Sequence, residues 1–169
     1  MNKEIDANPQ ECDLVGKAIR DVLIRDVKLD KFTERVLWAA LALIRLIQHY
    51  GPDQIPESMP ITEYARHNQR HQQELIDTGR LSTRTLNEIV DDLTGVKRMA
   101  FTFVGIDKKT GKKTTIELCP FDYVIRMGDS ITIEYLAPSQ SYKRYNNDHN
   151  YVAVKLTPPK RSRQVGKWF

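Results

Sequence analysis

The sequence predicts an α+β fold with a helical first half and a β-rich second half. Apolar residues recur at three- and four-residue steps as far as Leu93, the period of a helix face. From Arg98 onward they alternate with polar residues, the period of a half-buried strand. The 169 residues are 40% hydrophobic and 28% charged, enough apolar material for one packed core and too much for a disordered chain. The expected organisation is a frayed lead-in over 1–10, one domain over 11–157 and a basic tail over 158–169.

From Glu11, residues Leu14, Ala18, Ile19, Val22 and Leu23 share one helix face, ending near Asp26. The second helix is capped by Asp30 or Thr33, whose side-chain oxygens accept from an early backbone N–H. Phe32, Val36, Leu37, Ala40, Leu41, Ile44 and Ile47 keep the 3.6 period, and Trp38, Ala39, Ala42 and Leu43 make the helix apolar nearly all round. Such a helix belongs at the centre of the core. Gly51-Pro52 ends it, and 51–60 form a proline-rich connector. Met59-Pro60-Ile61 reads as a short extended piece, and Thr62 caps a helix starting at Glu63. The polar stretch from Arg66 to Asp77 fits one helix, two short ones, or a helix and a loop. Thr78-Gly79 stops it.

Ser82 caps the next helix, which runs to about Leu93 with Leu86, Ile89, Val90 and Leu93 facing the core; Gly95 is its expected C-cap. Two extended runs, 98–106 and 112–118, flank the turn residues Asp107-Lys108-Lys109-Thr110-Gly111. Strands over 123–127 and 130–136 follow, joined by Gly128-Asp129, then a polar loop over 138–150 and a last strand over 151–156. This order of helices, short strand, helix pair and β-hairpin is the winged-helix plan, a helix-turn-helix with a C-terminal β wing.

Net charge is +4, unevenly placed. From Ala137 onward Lys143, Arg144, Lys155, Lys160, Arg161, Arg163 and Lys167 stand against Asp148, a local +6 that leaves −2 on the rest. A basic end on a mildly acidic body points to a polyanion contact, set against a merely solvated tail. The longest apolar run, Val36 to Ile44, is stopped by Arg45, too short to cross a bilayer. The opening Met1–Asp6 lacks the apolar core of a signal peptide, and Cys12 and Cys119 belong to no CxxC pair. A cytoplasmic protein with reduced thiols is expected, with no membrane partner.

Four segments together resemble a known family. They are Lys31-Phe32-Thr33-Glu34-Arg35-Val36-Leu37-Trp38, Ile61-Thr62-Glu63-Tyr64-Ala65, the Ser82–Leu93 helix, and Leu118-Cys119-Pro120-Phe121 through Gly128-Asp129-Ser130-Ile131-Thr132-Ile133. Their order and spacing resemble the N-terminal winged-helix domain of the plasmid replication initiators, the theta-replicating, iteron-binding type, over roughly residues 10–145. The motifs are helix and strand patterns rather than catalytic signatures. Initiators of this type carry two winged-helix domains, of which the second reads most of the site; this chain has room for one. The resemblance implies a homodimer, weaker DNA contact, and replication proteins as partners.

Each DNA-binding residue has an alternative reading. On the Ser82–Leu93 helix, Arg84 and Asn87 are suited to base edges near the N-terminal end. Glu88, Asp91 and Asp92 on the outward face would repel phosphates and argue against deep insertion. They equally suit a solvated face or a protein contact. Lys108, Lys109, Lys112 and Lys113 surround the turn of the hairpin expected to be the wing and would supply sequence-independent affinity for duplex DNA, against the reading of an ordinary Lys-rich loop. Lys143 and Arg144, with Lys160, Arg161 and Arg163 in the tail, are interleaved with Tyr142, Tyr145 and Trp168, a mixture that suits single-stranded DNA. Core packing of the two tyrosines is the competing reading.

His67 and His71, at i and i+4, would face one metal only on a continuous helix, and no third ligand is obvious beyond the candidates Glu63 and Glu74; no metal or cofactor is expected. No His-apolar-His nicking motif, Walker loop, dinucleotide fingerprint or GxSxG elbow occurs, so no enzyme is expected. The sequence does not separate an initiator from a transcriptional repressor or a protein-interaction module of the same fold.

Overall fold

The computed structural model describes residues 14–25, 28–51 and 53–157. The expectations for the lead-in over 1–10 and the tail over 158–169 lie outside the described residues. The chain is α+β. In order it forms α1 (Leu14–Ile24), α2 (Lys31–Tyr50), β1 (Met59–Pro60), α3 (Ile61–Arg66), α4 (Gln72–Thr78), α5 (Thr83–Lys97), β2 (Ala100–Asp107), β3 (Lys113–Leu118), β4 (Phe121–Met127), β5 (Ile131–Pro138), α6 (Gln140–Asp148) and β6 (His149–Thr157). The strands make two antiparallel sheets, one ordered β1-β5-β4 and one ordered β3-β2-β6.

α2 is the axis of the core. Asp30 caps it, accepting from Thr33 N at 2.8 Å and from Thr33 Oγ1 at 3.0 Å. Gly51, at φ 84°, ends it in a conformation other residues adopt only with strain. Val36, Leu37, Ala39, Ala40, Leu43 and Leu46 are fully buried.

α5 packs on α2 and runs to Lys97, past the expected stop near Leu93. Gly95 is therefore not a C-cap. It lies inside the helix, where a Cβ would sit 2.6 Å from Val36 Cγ2 and 3.1 Å from Phe32 Cζ. Close helix approach, not a left-handed turn, requires this glycine. Tyr123 Oη donates to Leu93 O, fastening β4 to the same helix.

The stretch 66–77 resolves as two short helices with a turn between them. Asn68 is fully buried at that turn and donates to Tyr64 Oη at 2.7 Å while its Oδ1 accepts from Arg70 N at 2.9 Å. α3 begins at Ile61, two residues before the expected start, with Pro60 at the cap position and no side-chain cap. Proline's fixed φ is compatible with helix entry, so Thr62 is not needed there.

The expected loop over 138–150 contains α6, capped by Ser139 Oγ accepting from Tyr142 N at 3.0 Å. Its buried residues Tyr142 and Tyr145 pack with Phe103 and Tyr151. The β2–β6 register shifts between Val104 and Gly105, where β6 carries Val152 as an extra residue. A Cβ on Gly105 would lie 2.9 Å from Tyr145 Oη and 3.0 Å from Asn150 O, so the bare glycine lets α6 sit on the sheet.

Candidate nucleic-acid interface

The first turn of α5 is held by α4. Ser82 Oγ accepts from Thr85 N at 3.2 Å. Glu74 reaches across from α4, accepting from Ser82 N and from Thr85 Oγ1, both at 2.6 Å. The hydrogen bonds from Thr85 and Ser82 hold Glu74 below the ordinary carboxylate range. Thr83 and Arg84 are exposed on this braced turn, and Asn87 is exposed at the start of the next.

The acids of α5 are not a free anionic face. Asp92 is fully buried, contrary to the outward position expected, and meets Arg35 Nη2 at 2.6 Å and Arg70 Nη1 at 3.5 Å. Glu88 meets Arg70 at 3.0 Å and Arg35 at 4.0 Å. Asp91 meets Arg35 at 3.2 Å. Burial pushes the Asp92 carboxyl up to about 6 against the pull of Arg35 and Arg70. Burial works against the charge on Arg35, but its hydrogen bond to Asp92 and the surrounding acids more than offset that and hold its pKa above the ordinary value. Two guanidiniums against three carboxylates leave about one negative charge here, so the repulsion expected toward phosphates is largely cancelled from within.

The lysine turn is a second unit. Asp107 Oδ1 accepts from Lys109 N at 2.8 Å and Thr110 N at 2.9 Å, which hold its pKa low and fix the turn. Lys108 bends back, donating from Nζ to Asn147 O at 2.8 Å on α6. Lys109, Lys112 and Lys113 stay exposed. α6 also carries Arg144, exposed, and Lys143, half-buried. The structure thus brings the lysine turn to the end of the helix that bears Lys143 and Arg144. Arg84 and Asn87 lie on a different element, near the N-terminal end of α5.

Tyr142 and Tyr145 are core residues and offer no stacking platform; Tyr145 Oη donates to Phe103 O and Thr114 O, each at 3.3 Å. Lys160, Arg161 and Arg163, with Lys167 and Trp168, lie outside the described residues, as does Cys12. Cys119 is half-buried and burial raises its thiol pKa, which disfavours the reactive thiolate. His67 and His71 do not share a face, because α3 ends at Arg66: His67 meets His49 and Glu63, and His71 meets Glu88 and Asp92.

Sequence reasoning placed no candidate residue at the hairpin tip Met127–Ser130. This tip, not the lysine turn, belongs to the sheet that contains β1. Beside it, Arg126 pairs with Glu134 at 2.8 Å. No periodic signal marks which hairpin a two-residue strand joins. Arg80, exposed just ahead of α5, was also passed over, although a basic residue beside a helix N-cap is readable in the sequence.

No protein-family model matches the sequence, and neither a curated protein nor a solved structure matches it. Among the described residues, no helix is long and apolar enough to cross a membrane.

Proposed function

We propose that the chain is a non-enzymatic, sequence-reading duplex-DNA-binding protein of the winged-helix type, acting in replication initiation of the plasmid kind or its control. The observation that carries this reading is the state of α5. Its acids are tied to Arg35 and Arg70, while Arg84 stays exposed on a braced N-terminal turn and Asn87 at the start of the next. Arginine presents two donors to guanine, and an asparagine amide matches adenine. The β1-β5-β4 order supports the fold assignment, since a short strand ahead of the helix pair joins the later hairpin. On this reading β4–β5 is the wing, and the lysine turn is a separate phosphate contact supplementing it.

Selection from a random duplex library tests base readout. The wild-type chain enriches a defined motif, and a chain with Arg84→Ala and Asn87→Ala binds duplex without enriching it. A wild-type chain that enriches nothing contradicts the assignment.

Self-association is a second reading, favoured by a sheet edge that is unpaired among the described residues. β4 is the outer strand of its sheet, and Val124 and Tyr135, opposite each other, are each 48% exposed. A groove of about 320 Å3 lies between β4 and α5, lined by Val90, Leu93, Val124 and Met127 among others. A homodimer through this edge would bury both. Light scattering on wild type and Val124→Lys decides: a dimer that the substitution splits supports it, and a wild-type monomer at tens of micromolar overturns it.

A further inference from the structure

The C-terminal turn of α2 comes against α3 and its C-cap, joining His49 to a pair that sequence spacing alone does not link to it. His49 lies in the last turn of α2, Glu63 lies in α3, and His67, four residues on, is the C-cap of α3. One ligand atom from each lies within 4.8 Å of the other two. The His49 and His67 rings are 4.9 Å apart at 52°. His67 Nε2 and Glu63 Oε2 face each other at 3.9 Å, too long for a hydrogen bond. Two ligand atoms each about 2.1 Å from one metal lie roughly 3 to 4 Å apart, so a bound cation fits this spacing with small side-chain rotations.

We propose that His49, Glu63 and His67 form a site for one zinc-like divalent cation that clips the end of α2 to α3. Two imidazoles and a carboxylate select zinc, cobalt or nickel over magnesium or calcium, which prefer all-oxygen shells. The carboxylate is already oriented: Tyr50 Oη donates to Glu63 Oε2 at 2.7 Å, and Arg66 meets Oε1 at 3.3 Å. Such outer partners are what hold metal ligands in place. Burial, and then the neighbouring His49, keep the His67 pKa below its ordinary value. His49 is exposed, which leaves the fourth position to water.

The other His-carboxylate cluster, His71 with Glu88 and Asp92, does not qualify. Both of its carboxylates are held by Arg35 and Arg70, whose guanidiniums are largely buried with them, whereas Glu63 meets one exposed guanidinium, Arg66, and through Oε1 alone.

The test is calorimetric titration of the full chain with zinc chloride in a buffer that does not chelate. Expected is one site per chain at micromolar affinity or tighter, weakened at least tenfold by His49→Ala and by His67→Asn, and unchanged by His71→Asn. His49 is exposed, so His49→Ala melts at the wild-type temperature without zinc. Zinc raises the melting temperature of wild type but not of that variant. Absence of saturable binding, or binding that survives His49→Ala, overturns the proposal.

Discussion

Arg35 and Asp92 decide what the surface of α5 presents. From sequence, Asp92 sits on the polar side of a helix whose core stripe is Leu86, Ile89, Val90 and Leu93, and it reads as solvated. Its partner Arg35 is one helix away in space but lies on α2, and Arg35 is 56 residues from Asp91. No local pattern carries a pairing of that range. A charge left in a buried site without its partner is costly, so Arg35→Met destabilises the chain by about 3 kcal/mol, read by urea unfolding. His71, held near 4 chiefly by burial and then by Arg70, carries a pH dependence. Its neutral form is the folded one, so its contribution is complete above about pH 6.5 and is lost as pH falls toward 4. Asp92 runs the other way. With its folded pKa raised to about 6, it takes up a proton on folding and gains stability over the same acid range. The two offset in wild type. His71→Asn removes only the loss, so relative to wild type this variant gains up to about 3 kcal/mol between pH 6.5 and 4. A constant difference across that range, in paired urea titrations, contradicts the assignment.

Elements were legible where burial is one-sided and continuous. α5 and the strands follow their apolar period because one face of each meets the core, and α2 is apolar nearly all round because it is the axis of the core. α6 was not legible as a helix: its buried contribution is Tyr142 and Tyr145 within nine otherwise polar residues, too little to stand out from loop composition. Gly95 misled for a related reason. A glycine after an apolar stripe looks like a stop, yet here it is the contact point of two helices. Gly95→Ala drives a methyl into Val36 and costs about 1–3 kcal/mol by thermal or urea unfolding. Val36→Ala added to it removes the clashing methyl, so the double variant loses less than the sum of the singles. Strict additivity would contradict the close-approach account.

At the scale of the molecule, an α+β arrangement and the order of its elements were readable. The assignment of hairpins to sheets was not. The lysine turn follows the helix pair directly and so looks like its wing, but β1 pairs with β5, and the lysine hairpin joins β6 instead. The candidate interface is therefore split. α5 and the β4–β5 tip belong to one unit, and the lysine turn with α6 belongs to another. Of the predicted DNA-binding residues, Lys108 is partly engaged by α6, and the exposed cations of its turn are Lys109, Lys112 and Lys113. A duplex touching both units displaces counterions at the lysine turn without being read there.

That division is tested most directly by fluorescence anisotropy with random-sequence duplex at about 50 and 200 mM salt. Wild type is expected to bind at low salt and to weaken steeply as salt rises. Replacing Lys109, Lys112 and Lys113 by Ala is expected to reduce the slope of log affinity against log salt by about 2 to 3, the release of three counterions at about 0.9 each. No binding at low salt, or a slope unchanged by the triple substitution, contradicts a phosphate-contacting protein of this design.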